Sequence, residues 1–135
     1  MCIRDRLVQQ RTAYQNIELP LILAGVAPRK RREKVRELLK SVGLEKRSRH
    51  RPKQLSGGEQ QRIAVARAMV NDPQVILADE PTGNLDTTNS QQVMDLMLTM
   101  ADARKSTLCL ITHDELLAKE VADRVIILRD GKRVS

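Results

Sequence analysis

Apolar side chains recur along this chain with two different spacings. Between residues 28 and 43 they fall at positions i, i+3, i+4 and i+7, a period that predicts an amphipathic helix with a basic opposite face. These positions are Val35, Leu38, Leu39 and Val42. Two short apolar runs, residues 75–78 and 107–112, are too brief for helices and predict strands, the first of them buried and of the parallel type.

Polar residues in front of apolar runs mark where other helices begin. Thr12 and Gln15, and again Ser56 and Glu59, have the spacing of a capping box, in which each residue satisfies a backbone amide of the other. The helix that begins after Ser56 is predicted to extend to about Asn71.

The remaining elements are predicted from caps and turn residues. Residues 44–50 favour a short helix, and Asp86 or Thr87 caps a longer one. Residues 124–129 predict a last strand, and the Asp130-Gly131 pair after them is typical of a tight turn.

Acidic side chains and an imidazole follow the two predicted strands. Asp79 and Glu80 end the first strand, and His113 ends the second. Ligands of open α/β sheets bind beyond the carboxyl ends of the strands, so we expect these side chains to meet there. Paired acids at that place suit phosphoryl transfer, in which one holds Mg²⁺ and another group positions or deprotonates the attacking water. The alternative for the two acids is a solvated acidic turn.

Two glycines open the helix that Ser56 caps. Without side chains, Gly57 and Gly58 leave backbone N–H groups unshielded at the positive end of the helix dipole, and such donors bind phosphate well. The alternative is an ordinary helix start.

Four motifs occur in the order and at the spacing of one protein family. They are LSGGEQ at residues 55–60, VILADE at residues 75–80, NLD at residues 84–86, and His113 after the run LCLIT. They resemble the signature motif, the Walker B strand, the D-loop and the switch histidine of ATP-binding cassette (ABC) ATPases. The resemblance covers about residues 12–135.

The resemblance implies a fold and a set of roles. The fold is α/β, the C-terminal half of a P-loop NTPase of the ABC type, with a parallel-strand core and an α-helical signature subdomain. The cofactors are ATP and Mg²⁺. Asp79 would hold Mg²⁺, Glu80 would be the general base, and His113 would contact the γ-phosphate.

The resemblance also implies partners. Two cassettes sandwich two ATP molecules head to tail, and residues 56–58 together with Gln60 bind the nucleotide of the opposite subunit, while Asp86 couples the two sites. An integral membrane permease is the second partner, which places the protein in the cytoplasm, on the inner face of the membrane. The run NIELPL at residues 16–21 and the run PTGNLD at residues 81–86 are most similar to the lipoprotein-releasing and macrolide-export group, with the cell-division type as the alternative.

One expected motif is missing from the sequence. No G-x-x-x-x-G-K-[ST] loop, the Walker A motif that cradles nucleotide phosphates, occurs in the chain. We therefore expect a C-terminal piece of a cassette that is inactive by itself. Its predicted parts are residues 1–11, unplaced; residues 12–72, the helical subdomain with the signature; and residues 73–135, the second half of the ATPase core. Residues 1–6 do not match the family and are interpreted as a truncation scar.

The charge of the chain is concentrated in one segment. Residues 29–53 hold twelve Lys or Arg against three Glu, a net charge of +9 in a chain whose total is +7. Acidic lipid headgroups, nucleic acid or plain solvent could face such a surface. A chromosome-maintenance ATPase would use it for DNA, but that class has long coiled-coil heptads next to its signature, and this sequence has no sustained heptads. Direct binding of nucleic acid is therefore not expected.

Overall fold

The computed structural model describes residues 7–134, and the interpretation of residues 1–6 lies outside them. Within this range the helices and strands are α1 (Ala13–Leu23), α2 (Pro28–Ser41), α3 (Gly57–Met69), β1 (Val75–Asp79), α4 (Thr87–Arg104), β2 (Thr107–Ile111), α5 (Glu115–Val121), β3 (Leu128–Arg129) and β4 (Lys132–Arg133). Short 3₁₀ turns at Glu45–Arg47 and Pro52–Gln54 connect α2 to α3. No helix among the described residues is long and apolar enough to cross a bilayer.

The first three helices pack around an apolar centre. Both predicted capping boxes form, so α1 begins after Thr12 and α3 begins after Ser56. The predicted apolar stripe of α2 is buried against α1 and α3. The same buried cluster continues through Ile76 and Ala78 of β1 to the inner face of α4, so one core supports both the helices and the sheet.

Helix α4 connects two parallel strands. β1 and β2 lie side by side, and their register pairs Asp79 with Ile111, which brings both carboxyl ends to one edge. The connection needs a crossover because parallel neighbours cannot be joined by a tight turn. Asp86 caps the crossover helix, as predicted. The residues that follow β1 and β2 therefore emerge together.

The prediction that β1 is buried is wrong for alternate residues. Ile76 and Ala78 are 6% and 2% exposed, whereas Val75 and Leu77 are 57% and 76% exposed. Successive strand residues point to opposite faces. Among residues 7–134, helices cover only one of those faces, so the other face of the strand meets solvent.

Two other predicted elements are shorter than expected. In place of a helix over residues 44–50 there is a single turn, because the amides of Arg47, Ser48 and His50 donate to carbonyls three residues earlier, which closes 3₁₀ turns and not α-helical ones. The strand predicted over residues 124–129 is reduced to β3, which pairs with the two residues of β4. The tight turn between them is confirmed, since Asp130 and Gly131 both have positive φ, at 50° and 74°.

Lys105 ends α4 in a left-handed conformation, with φ at 53° and ψ at 38°. That conformation costs an L-residue about 1–2 kcal/mol, and glycine adopts it freely. Relief of this strain is partly offset, because glycine is more flexible than lysine in the unfolded chain. We therefore expect Lys105→Gly to raise the free energy of unfolding by a net amount of about 0.5–1 kcal/mol, measured by urea denaturation. Lys119→Gly, the same change inside α5, should instead destabilise by about 1 kcal/mol. A loss of stability at both positions would contradict the prediction.

Candidate functional site

Glu80 and His113 meet at the carboxyl edge of the sheet, as predicted. The backbone amide of His113 donates to Oε1 of Glu80 at 2.8 Å, and Nδ1 of the imidazole lies 2.7 Å from the same oxygen. An ionised carboxylate can only accept, so Nδ1 carries the proton in this pair. This leaves Nε2 of the ring for a second partner.

The backbone of Glu80 is strained. Its φ is 44°, in the left-handed region that a residue other than glycine seldom occupies. Two contacts hold it there, since its amide donates to the carbonyl of Ile111 at 2.9 Å and its carbonyl accepts the amide of Gly83 at 3.3 Å. Strain of this kind occurs where surrounding structure imposes it, frequently at functional sites. Here it turns the chain out of β1 and directs Glu80 toward His113.

The paired side chains open into a cleft of about 650 Å³ between α4 and α5. This volume lies in the range of small-molecule sites, about 300–1,000 Å³. The His113 side chain is 85% exposed and that of Glu80 32% exposed, so the pair faces an open space. Residues 56–58 and Asp86 do not line this cleft.

Asp79 precedes this pair at the end of β1 and is half-buried. Mg²⁺ is commonly held by one or two carboxylates together with substrate phosphates. Among residues 7–134 there is no group of three or more His, Cys, Asp or Glu that could hold a metal unaided. Asp79 does not line the cleft of Glu80 and His113, and a single carboxylate at a strand end fits a metal that is shared with a nucleotide.

The signature residues form a second site at the start of α3. Ser56 Oγ accepts the Glu59 amide at 3.2 Å, and Glu59 Oε2 accepts the Ser56 amide at 2.8 Å. This capping box leaves the amides of Gly57 and Gly58 at the open end of the helix. Gln60 is tied to the preceding turn, because its Nε2 donates to the carbonyls of Pro52 and Leu55 at 2.9 and 3.1 Å.

Asp86 lies at the N-terminus of α4. Its Oδ1 accepts the backbone amide of Asn89 at 2.9 Å, and its Oδ2 accepts the side-chain amide of the same residue at 2.6 Å. These two bonds hold the pKa of the Asp86 carboxyl below its usual value, with the backbone bond as the larger cause. Asp86 is thus an oriented, ionised group at a helix start.

Sequence reasoning missed two residues that support these sites. Gln61 is 4% exposed and donates from Nε2 to the carbonyl of Pro81, which fixes α3 to the turn after Glu80. Asn89 was missed as well, although its position three residues after the cap Asp86 is where a reciprocal cap forms.

Comparison with known proteins places the chain in a family. The model of the ABC transporter family matches residues 2–83, so the expectation that residues 1–6 do not match the family is wrong for residues 2–6. The lipoprotein-releasing system ATP-binding protein LolD of Legionella pneumophila (strain Lens) is 47% identical over 125 residues, which are 93% of this chain and 55% of that protein. The macrolide export ATP-binding/permease protein MacB of Hyphomonas neptunium is 50% identical over 132 residues, which are 98% of this chain and 20% of that protein.

A solved structure has the same fold. The dimeric, post-hydrolysis structure of the ATP-binding cassette MJ0796 bound to ADP and Pi aligns with a TM-score of 0.81 and 38% identity, over 96% of this chain and 57% of that one. The chain thus spans little more than half of the LolD relative and of this cassette. The predicted fold class is confirmed, and because the family model matches more than half of its residues, this chain belongs to the ABC transporter family.

Proposed function

We propose that this chain forms part of the ATP-hydrolysing cassette of an ABC transporter and energises export or release of a substrate through a membrane permease. The observation that supports this most strongly is the contact between Glu80 and His113 at the ends of two neighbouring parallel strands. Glu80 and His113 are far apart in the sequence, so only the fold brings them together. Their contact lies in a cleft whose size is compatible with a nucleotide.

Each side chain of the site has a proposed role. Glu80 accepts a proton from the attacking water, and His113, which donates from Nδ1 to Glu80, contacts the terminal phosphate. Asp79 would hold Mg²⁺, which when bound neutralises charge on the phosphates. The two hydrogen bonds from His113 hold the Glu80 carboxylate in place before any ligand arrives, so little reorganisation accompanies the reaction.

We propose that the signature site serves a second copy of the cassette. Ser56, Gly57, Gly58 and Gln60 would bind the nucleotide of the opposite subunit in a head-to-tail dimer. Two features support this arrangement: the signature residues lie outside the cleft of Glu80 and His113, and the cassette MJ0796 is dimeric with ADP and Pi. Asp86 would then couple the two sites across the interface.

The proposed membrane partner is a permease, either a separate subunit or a further domain. LolD is named as the ATP-binding protein of a releasing system, and MacB as an ATP-binding/permease protein. Ile22 and Leu23 at the end of α1 are 41% and 80% exposed and offer an apolar docking surface in the helical subdomain, proposed as residues 12–72. The cassette would work at the cytoplasmic face of the membrane, without direct contact to nucleic acid. The cell-division type remains the alternative within the family.

ATP turnover tests the proposal. A complete cassette, in which a P-loop precedes this chain, should release phosphate from ATP and lose that activity when Mg²⁺ is chelated. Residues 1–135 alone should show no turnover, because they contain no G-x-x-x-x-G-K-[ST] loop to cradle the nucleotide phosphates. Phosphate release by the 135 residues alone, above that of the same piece carrying Glu80→Gln, would contradict this expectation.

A further inference from the structure

The start of α3 packs against the segment that leads into α4. A Cβ atom added to Gly57 would lie 3.4 Å from Cδ2 of Leu85, and one added to Gly58 would lie 2.6 Å from Oδ1 of Asn89. The second distance is shorter than real Cβ atoms show, so the Asn89 amide occupies space that any other residue at position 58 would fill. Gln61 fixes the same two elements through its bond to the carbonyl of Pro81.

The Asn89 amide is held on its other side by Asp86. Its Nδ2 donates to Oδ2 of Asp86 at 2.6 Å, and its backbone amide donates to Oδ1 at 2.9 Å. Because a carboxylate only accepts, this contact fixes which end of the amide is nitrogen and turns Oδ1 toward Gly58. A movement of the Asn89 amide away from Gly58 therefore changes its bond to Asp86.

We propose that Asn89 is a positioning residue that couples Gly58 of the signature motif to Asp86 within one cassette. A shift of the start of α3 toward α4 displaces the Asn89 amide, and the amide carries the displacement to the Asp86 carboxylate. This inference rests on the proposed function, in which residues 56–58 bind the nucleotide of the opposite subunit and Asp86 couples the two sites. The inference adds a contact, through Asn89, that links nucleotide binding at residues 56–58 to the coupling by Asp86 inside a single chain.

The test is a titration of the Asp86 carboxyl by ¹³C NMR in the complete protein, labelled at aspartate. Asn89→Ala should raise the pKa of Asp86, because the side-chain bond is lost. Gly58→Ala should also raise it, because the new methyl group would lie 2.6 Å from Oδ1 of Asn89 and therefore displaces the Asn89 amide. The double variant should titrate like Asn89→Ala alone. An unchanged pKa in Gly58→Ala, or two shifts that simply add, would overturn the coupling.

A matched control and a second measurement keep the test decisive. Asn71, just beyond the end of α3, is exposed and makes a 3.4 Å contact to the carbonyl of Pro20, so Asn71→Ala should leave the Asp86 pKa unchanged.

Thermal unfolding tests whether a side chain at position 58 clashes with the Asn89 amide. Gly58→Ala should lower the melting temperature of the wild type and should not lower that of Asn89→Ala, and an equal loss in both backgrounds would overturn the proposal.

ATP turnover by the same variants connects the contact to function. In Asn89→Ala, the Hill coefficient for ATP should fall toward 1, because the link between the signature site and Asp86 is cut. An unchanged Hill coefficient would overturn the functional part of the inference.

The catalytic role of Glu80 and the coupling through Asn89 can be refuted separately. Turnover that survives Glu80→Gln would refute the catalytic proposal and leave the Asp86 titration standing, whereas an unaltered titration in Gly58→Ala would refute the coupling alone.

Discussion

Replacing Glu80 by glutamine should remove most of the ATP turnover of the complete cassette and leave nucleotide binding intact. Glutamine keeps the length of the side chain and an oxygen that can accept the His113 amide, so the geometry at the strand ends is preserved. An amide does not take a proton from water. Since a positioned general base contributes about 10²–10⁴-fold, turnover should fall by that factor. Phosphate release measures the rate, and titration with a fluorescent ATP analogue measures binding.

Glu115→Gln is the matched control for this change. Glu115 lies on α5 near the same cleft, its side chain is 75% exposed, and it forms an ion pair with Lys119 at 3.8 Å. Exposed pairs of this kind contribute little to stability. We expect unchanged turnover in Glu115→Gln. Wild-type rates in Glu80→Gln, or equal losses in the two variants, would show that Glu80 is not the base.

The meeting of Glu80 and His113 could be predicted from the sequence for a specific reason. Each residue follows a short apolar run, and parallel strands bring their carboxyl ends to one edge whatever the details of packing. The left-handed backbone of Glu80 could not be predicted in this way. It depends on a hydrogen bond to the carbonyl of Ile111 that exists only once the two strands are paired.

Ile17→Ala should cause a large loss of stability. Ile17 is fully buried on α1, where the helix packs against α2 and α3. Truncating such a side chain removes buried apolar surface and leaves a cavity, at a cost of about 2–5 kcal/mol. That is a large fraction of the total stability of a typical domain, about 5–15 kcal/mol. Urea unfolding followed by circular dichroism should therefore give a midpoint well below that of the wild type.

The control for this prediction lies on the same helix. Ile22 is 41% exposed, so Ile22→Ala makes the same chemical change where less surface is buried than at Ile17. Alanine also favours the helix more than isoleucine does, which offsets part of the loss, and the net change should stay within about 1 kcal/mol. Similar midpoints for the two variants would mean that α1 is not packed as described.

Contacts between elements that are distant along the chain could not be predicted from the sequence. The pattern of apolar residues in β1 identifies a strand, but it does not encode that Val75 and Leu77 meet solvent while Ile76 and Ala78 are covered. The close approach of Asn89 to Gly58 is likewise invisible in either local pattern, because it depends on how α3 and α4 are placed against each other.

The Glu80 carboxylate is held by a hydrogen bond from the main chain as well as by one from a side chain. The main-chain amide of His113 donates to the carboxylate independently of the imidazole, and every residue except proline supplies such an amide. In the course of evolution the imidazole can therefore be exchanged without releasing the carboxylate from its anchor. A proline at position 113 is the replacement that would remove both attachments in a single step.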